Sequence, residues 1–252
     1  MKKRFLFVLG LLFSVAMFSQ NEKSDYMDYS SKKNLIKTNV TSLAFRNFEF
    51  QYERIINKTI SVNLNYGFIP KGSTPMQSVF ENYIDDQEAS DLLNELTFKQ
   101  SNIILEARVY LGKGYGKGFY LAPYYNYAKY SFGDVMFEYT DDSAQQQNFK
   151  TDASISANTV GLLIGTQFNL GKNLVLDWWI LGAQYGGAQG TLTGVSSKDL
   201  TANEQAALKS ELDDLSVPFV TLENTVNAKG VDSKIEGPFA GLRAGLSIGY
   251  RF

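Results

Sequence analysis

The chain contains neither cysteine nor histidine. The first absence excludes a disulfide framework and a lipid anchor carried on cysteine. The second removes the usual nucleophile and base pairs, including the serine and histidine on which the lipid A deacylases and palmitoyltransferases of the envelope rely. Proline is scarce, with 5 residues. After the first twenty residues no run of about 18 consecutive apolar residues occurs, so no helix of the mature chain is expected to span a bilayer. A membrane-spanning form must then be a closed β-barrel, because only helices and closed barrels satisfy every backbone group in lipid.

What the chain does hold suits that form: Gly 21, Tyr 15 and Phe 18, with 44% hydrophobic residues overall. A strand that shows every second side chain to water dilutes its own hydropathy. Residues 1–20 are predicted to be a secretory signal peptide, with Lys2, Lys3 and Arg4 ahead of the apolar run Phe5 to Ala16. Residues 21–33 read as a periplasmic lead-in and residues 34–252 as the barrel domain. Removing the three leader cations takes the net charge from −2 to −5, which argues against a nucleic-acid partner.

Period-two alternation marks eight segments: 34–45, 48–53, 60–68, 103–111, 119–132, 153–170, 174–185 and 237–252. Phe48, Phe50 and Tyr52 alternate with Glu49, Gln51 and Glu53. In the last segment Phe239 is followed by a slip at Ala240, after which Leu242 to Phe252 face one way and Gly241 to Arg251 the other. An arginine at mid-bilayer on the lipid face costs about 2–4 kcal/mol, so Arg243 must point into a lumen. Connections after the second, fourth and sixth segments are short, and those after the third, fifth and seventh are long. This predicts an all-β fold: an eight-stranded antiparallel up-and-down transmembrane β-barrel with both termini periplasmic. Its long extracellular loops, at 70–99, 133–152 and 186–236, are expected to carry short helices. Leu92, Leu93 and Leu96 have helical spacing, and Thr201 to Glu204 forms a capping box before Leu208, Leu212 and Leu215.

The inward charges Glu49, Glu53, Glu106, Arg108, Asp177, Arg243 and Arg251 are expected to pair with one another, since an eight-stranded barrel is just wide enough to be filled by side chains. Glu106 or another lumen carboxylate is the expected partner of Arg243. A gated ion path through these charges is the alternative. The tandem Trp178 and Trp179 suit a membrane interface. GKGYGKG, at 112–118, reads as a turn: it lacks the ending of a phosphate loop and enters a strand, so no helix N-terminus is available to an anion. The acidic residues of the long loops, such as Asp85, Asp142, Asp199 and Asp213, match no calcium-loop spacing and read as solvated, with a weak role in divalent-cation bridging to anionic lipid headgroups as the alternative. No catalytic, cofactor-binding or metal-binding residue is assigned, and no cofactor is expected.

The stretches NLIKTNV (34–40), FEFQYERIINKTISVNLNYGF (48–68) and GPFAGLRAGLSIGYRF (237–252) resemble a family of small Gram-negative outer-membrane β-barrel proteins of unknown function. The resemblance implies an eight-stranded barrel of the OmpA and OmpX kind and brings no catalytic residues. The terminal stretch also resembles the closing strand of such barrels, whose final Phe is read by the barrel-assembly machinery. The expected role is a non-enzymatic envelope scaffold or surface-interaction protein of the outer membrane. Its expected partners are outer-membrane lipid, the assembly machinery and an unknown surface or envelope protein. A small channel or transport accessory is the alternative reading, and a lipid-modifying enzyme a weaker one.

Overall fold

The structure is a computed structural model that describes residues 31–74, 96–111, 114–140, 145–214 and 218–252, the side chains of 137–140 excepted. The expected signal peptide, most of the lead-in, the helical spacing at Leu92 and Leu93, and the acidic Asp85 and Asp142 lie outside the described residues.

Nine strands are present among them: β1 (Asn34–Asn39), β2 (Phe48–Ile55), β3 (Ile60–Ser73), β4 (Thr97–Tyr110), β5 (Gly118–Thr140), β6 (Gln146–Leu170), β7 (Leu174–Ser196), β8 (Thr221–Asn227) and β9 (Gly230–Arg251). Every pairing is antiparallel, and β1 pairs with β9, so β1 to β7 and β9 close into a ring of eight with β8 added outside it. Successive partners from Thr38 run through Phe50, Tyr66, Ile103, Tyr127, Asn158 and Gly187 to Pro238, ten residues along β9 from Ile248, which Thr38 meets directly. A stagger of that size over eight strands tilts each strand by about 40° to the barrel axis.

The alternation read from the sequence sets the two faces. Phe50, Tyr66, Leu105, Phe119, Val160 and Tyr250 stand exposed on the outside, while Gln51, Asn65, Glu106, Tyr120, Thr159 and Arg251 are buried within. The apolar band on β6 runs from Leu170 up to Val160 and then gives way to exposed Asn158. On β5 it ends at Tyr127, below exposed Lys129. Ten residue steps at this tilt make a band about 25 Å tall.

The first strand is shorter than its predicted 34–45. Asn39 Oδ1 accepts from the backbone N–H of Thr41 (3.0 Å) and Ser42 (3.1 Å), which pulls the chain out of the ladder. A 3-10 turn, Ser42–Phe45, follows, and Arg46 in the left-handed region (φ 57°) brings the chain back into β2. The outer loops expected at 133–152 and 186–236 are largely sheet instead: β5 and β6 pair out to Thr140 and Gln146, and β7 and β9 out to Val195 and Gly230. Above the apolar band these strands still alternate, but in the reverse sense: Phe149, Ala153 and Ile155 on β6 and Val231 and Ile235 on β9 take the less exposed face, while Lys150, Asp152, Asp232, Lys234 and Glu236 take the more exposed one. The one helix among the described residues, α1 (Ala202–Asp214), has its capping box as predicted: Glu204 Oε2 accepts from the Thr201 N–H at 2.7 Å, and Thr201 Oγ1 from the Glu204 N–H at 3.3 Å. Nor is there a slip at Ala240: Phe239 continues the inner series and stacks on Tyr130 at 5.6 Å.

Candidate functional site

The lumen is built in layers. At its base Leu35, Ile55 and Val175 form a small apolar floor with Tyr115 against it. Tyr115 lies there because the β4–β5 turn folds inward, with φ positive at Gly114 (87°), Tyr115 (54°) and Gly116 (70°). Arg251 donates from Nη1 to the Tyr115 carbonyl (2.7 Å) and from Nη2 to the Gly116 carbonyl (3.1 Å), and Gln167 Nε2 donates to the same Gly116 carbonyl (2.7 Å). The described part of GKGYGKG, residues 114–118, is thus a turn, and one that packs against the barrel's floor.

Above the floor lies a charge cluster. Lys37 Nζ meets Glu53 at 2.7 Å and Asp177 at 2.6 Å. Arg108 meets Asp177 at 2.6 Å, Glu106 at 2.7 Å and Glu53 at 3.4 Å. Arg243 Nη1 reaches Glu106 at 2.7 Å. Three cations thus face three carboxylates, and every side chain but Arg243 is wholly buried. Neutral donors take up further carboxylate lone pairs: Tyr110 and Ser61 bond Glu53 (2.6 and 2.5 Å), Tyr120 bonds Asp177 (2.7 Å), and Asn63 bonds Glu106 (3.1 Å). Charges buried in this way persist only when paired and fully hydrogen-bonded. Glycine makes room for the phenols: a Cβ on Gly161 would run into the Tyr124 ring, and one on Gly165 into Tyr120.

Arg243 caps the cluster, its guanidinium 4.3 Å from the Trp179 ring and 4.9 Å from that of Tyr124. Beyond it the lumen opens into a chamber of about 460 Å³ with amide-rich walls, among them Asn39, Gln100, Asn102, Asn126 and Gln184. A second recess of about 430 Å³, apolar and bounded by Phe98, Tyr130, Phe132 and Phe239, continues up the inner face of the tall hairpins.

Of the inward charges predicted, Glu53, Glu106, Arg108, Asp177 and Arg243 come together, and Glu106 is indeed the partner of Arg243. Glu49 stands apart in the outer chamber, held by Asn39, Asn47 and Asn65, and Arg251 serves the floor. Lys37 was missing from that set, although its parity on β1 placed it on the face opposite Ile36. The tandem tryptophans do not share an interface: Trp178 is on the outer surface, 43% exposed, and Trp179 is 2% exposed inside the lumen, donating to Asp177 at 3.3 Å. The described loop acids are solvated or ion-paired, Asp199 with Lys229 and Asp213 with Lys209. Among the described residues no three His, Cys, Asp or Glu side chains gather as a metal site.

A closed eight-stranded antiparallel ring with an apolar outer band and a polar, filled interior defines the class: a small β-barrel whose outside is drier than its inside. The chain belongs to the family described as protein of unknown function (DUF3575), which matches residues 9–189. Among solved structures it is similar to a major outer membrane protein from Thermus thermophilus, at 18% identity and a TM-score of 0.37, over 88% of this chain and 100% of that one. It is also similar to CarO2 of Acinetobacter baumannii, at 11% identity and a TM-score of 0.34, over 88% of this chain and 98% of the other. No curated protein sequence matches it.

Proposed function

We propose that the chain is a non-enzymatic, non-conducting barrel of the Gram-negative outer membrane that acts as an envelope scaffold or surface-interaction protein. The observation that carries this reading is the pairing of an apolar band around the outside with a charge-balanced cluster filling the lumen beneath the chamber. A band of that height matches the hydrocarbon thickness, and water would leave it no driving force to stay exposed. The cluster sits between the outer chamber and the floor and fills the lumen there with paired, buried charges. Short connections at one end, at 56–59, 111–117 and 171–173, suit the periplasmic side, where both ends of the barrel domain would then lie. On that placement about 40 Å of β6, from Gln146 to Asn158, stands outside the membrane and offers the surface for an envelope or cell-surface partner. The closing Phe252 would serve as the address for barrel assembly.

Planar-bilayer recording of the purified protein tests the closed lumen: no reproducible current steps are expected, and steps that vanish in Arg243→Ala would support the channel reading instead. Protease added to intact cells tests the placement. Cleavage is expected near Glu204 and not at Lys117, and cutting at Lys117 alone would invert the topology.

A further inference from the structure

The ladder from β2 to β4 sets Glu49 of β2 opposite Gly67 of β3, and Gly67 opposite Asn102 of β4, all on the inner face. Gly67 leaves the middle of that row bare. Its Cβ position lies 2.5 Å from Asn102 Oδ1 and 3.2 Å from Glu49 Cγ, so the two side chains lean over the glycine from either side. Amide donors then fix the carboxylate: Asn47 Nδ2 donates to Oε1 at 2.9 Å, and Asn65 Nδ2 (3.2 Å) and Asn39 Nδ2 (3.4 Å) donate to Oε2. An ionised carboxylate has about four lone-pair sites, so these bonds leave place for a further donor.

The charge of Glu49 is not balanced. Arg243, the cation on the chamber wall, belongs to Glu106 in a cluster where three cations already face three carboxylates, and Glu49 makes no ion pair among the described residues. Glu49 is half-buried on that wall, and so is Gln100, whose side chain makes no hydrogen bond among the described residues. The neutral groups around them favour the same sign of partner. Asn102 and Asn126 also line the chamber, and their Oδ1 atoms have no donor among the described residues, Asn126 being only 6% exposed. These enclosed oxygens touch no ligand, but the negative ends of their dipoles add to the field of Glu49. The accessible rings of the wall are Phe45, Tyr130 and Phe132, whose faces attract a cation and pack against an apolar body.

We infer that the chamber binds a small organic ammonium ion with an apolar or aromatic body. Glu49 holds the charged nitrogen, Gln100 offers it a neutral second partner, and Tyr130 and Phe132 take the body. A cavity of about 460 Å³ has the size of a small-molecule site and far exceeds one bare ion. Glu49, Gln100, Tyr130 and Phe132 all stand on the inner face of the ring, so the inference does not depend on the membrane placement above.

Probes that share one body and differ in the head test this: phenethylamine, 2-phenylethanol and 3-phenylpropionate. Each is titrated calorimetrically at neutral pH into the full chain in detergent micelles, with protein-free micelles as the blank. Saturable binding of the amine is expected, with the alcohol and the carboxylate weaker by about tenfold or more, the loss of one charge-assisted hydrogen bond. Glu49→Gln keeps the shape and removes the charge, so it should weaken the amine by about tenfold and leave the alcohol unchanged. Tyr130→Leu should weaken amine and alcohol alike. Should Glu49→Gln fail to fold, the comparison of heads on the unaltered chain decides alone. No saturable heat from the amine, or equal binding of all the probes, would overturn the cation site. Amine binding that ignores Glu49→Gln would overturn the assignment to this carboxylate, and potassium chloride matching the amine in heat and stoichiometry would overturn the organic class.

Discussion

Asp177 is the side chain on which the lumen cluster depends most. Its carboxylate accepts from Lys37 and Arg108, both at 2.6 Å, from the Tyr120 hydroxyl at 2.7 Å and from the Trp179 indole at 3.3 Å, with no solvent to replace any of them. In Asp177→Ala three cations face two carboxylates in a closed space. Breaking a buried pair by removing one partner costs about 3–5 kcal/mol, because the orphaned charge stays buried. Much of a small domain's net stability would go with it, since that is only about 5–15 kcal/mol. The assay is reversible denaturant unfolding of the barrel in vesicles, followed by gel mobility without heating. Asp177→Ala should lower the unfolding free energy by that amount, whereas Asp199→Ala, which removes an exposed ion pair with Lys229, should leave the midpoint in place. Lys37→Met combined with Asp177→Leu restores two cations against two carboxylates and should recover a large part of the loss. If Asp177→Ala costs less than about 1 kcal/mol, or the double variant is as unstable as the single, the cluster is not the paired core described above.

Further outcomes follow at the base and at the outer rim. Gly116 (φ 70°) has its Cβ position 2.8 Å from Ile55 Cδ1 and 2.9 Å from Arg251 Nη2, while Gly171 (φ 80°) has nothing within 4 Å. Gly171→Ala should therefore cost only the left-handed backbone strain, about 1 kcal/mol, and Gly116→Ala clearly more; equal losses in the unfolding assay would refute the packed floor. At the bulge in β5, Lys71, the Thr97 hydroxyl and Lys150 hold the Asp134 carboxyl below the ordinary aspartate value of 3.8. A depressed folded value means that its contribution is present above 3.8 and is lost as pH falls through the folded value. Carbon-13 titration should place its midpoint below 3.8, and Lys71→Ala should move it back up; a midpoint at or above 3.8 in the unaltered chain would contradict the pairing.

Much of this architecture was legible in the chain. Within the apolar band every second residue faces outward and is apolar, a local pattern that writes itself into Phe48-Glu49-Phe50-Gln51-Tyr52-Glu53 and into the closing Leu242 to Phe252. The short turns at one end and the inward parity of Glu53, Glu106, Arg108, Asp177 and Arg243 could be read in the same way. The parity of Trp179 with Asp177 also pointed inward, and what the tandem pair misled on was the expectation that both rings sit at an interface. The strands above the band, and β8 with them, do alternate, but with charged and hydroxyl residues on the outer face, so their polar composition read as loop.

By itself, then, the sequence determined the barrel class, the two faces of each strand and the residue types inside, since these follow from the period-two alternation that each strand carries on its own. Height and partnership were decided only in three dimensions. Lys37 and Asp177 are 140 residues apart, and they meet because the stagger of the whole ring brings β1 and β7 to one level on opposite sides of β9. The end of the β1–β9 pairing belongs to the tertiary structure for the same reason: Asn39 ends β1 while β9 runs on, and neither strand alone records the mismatch.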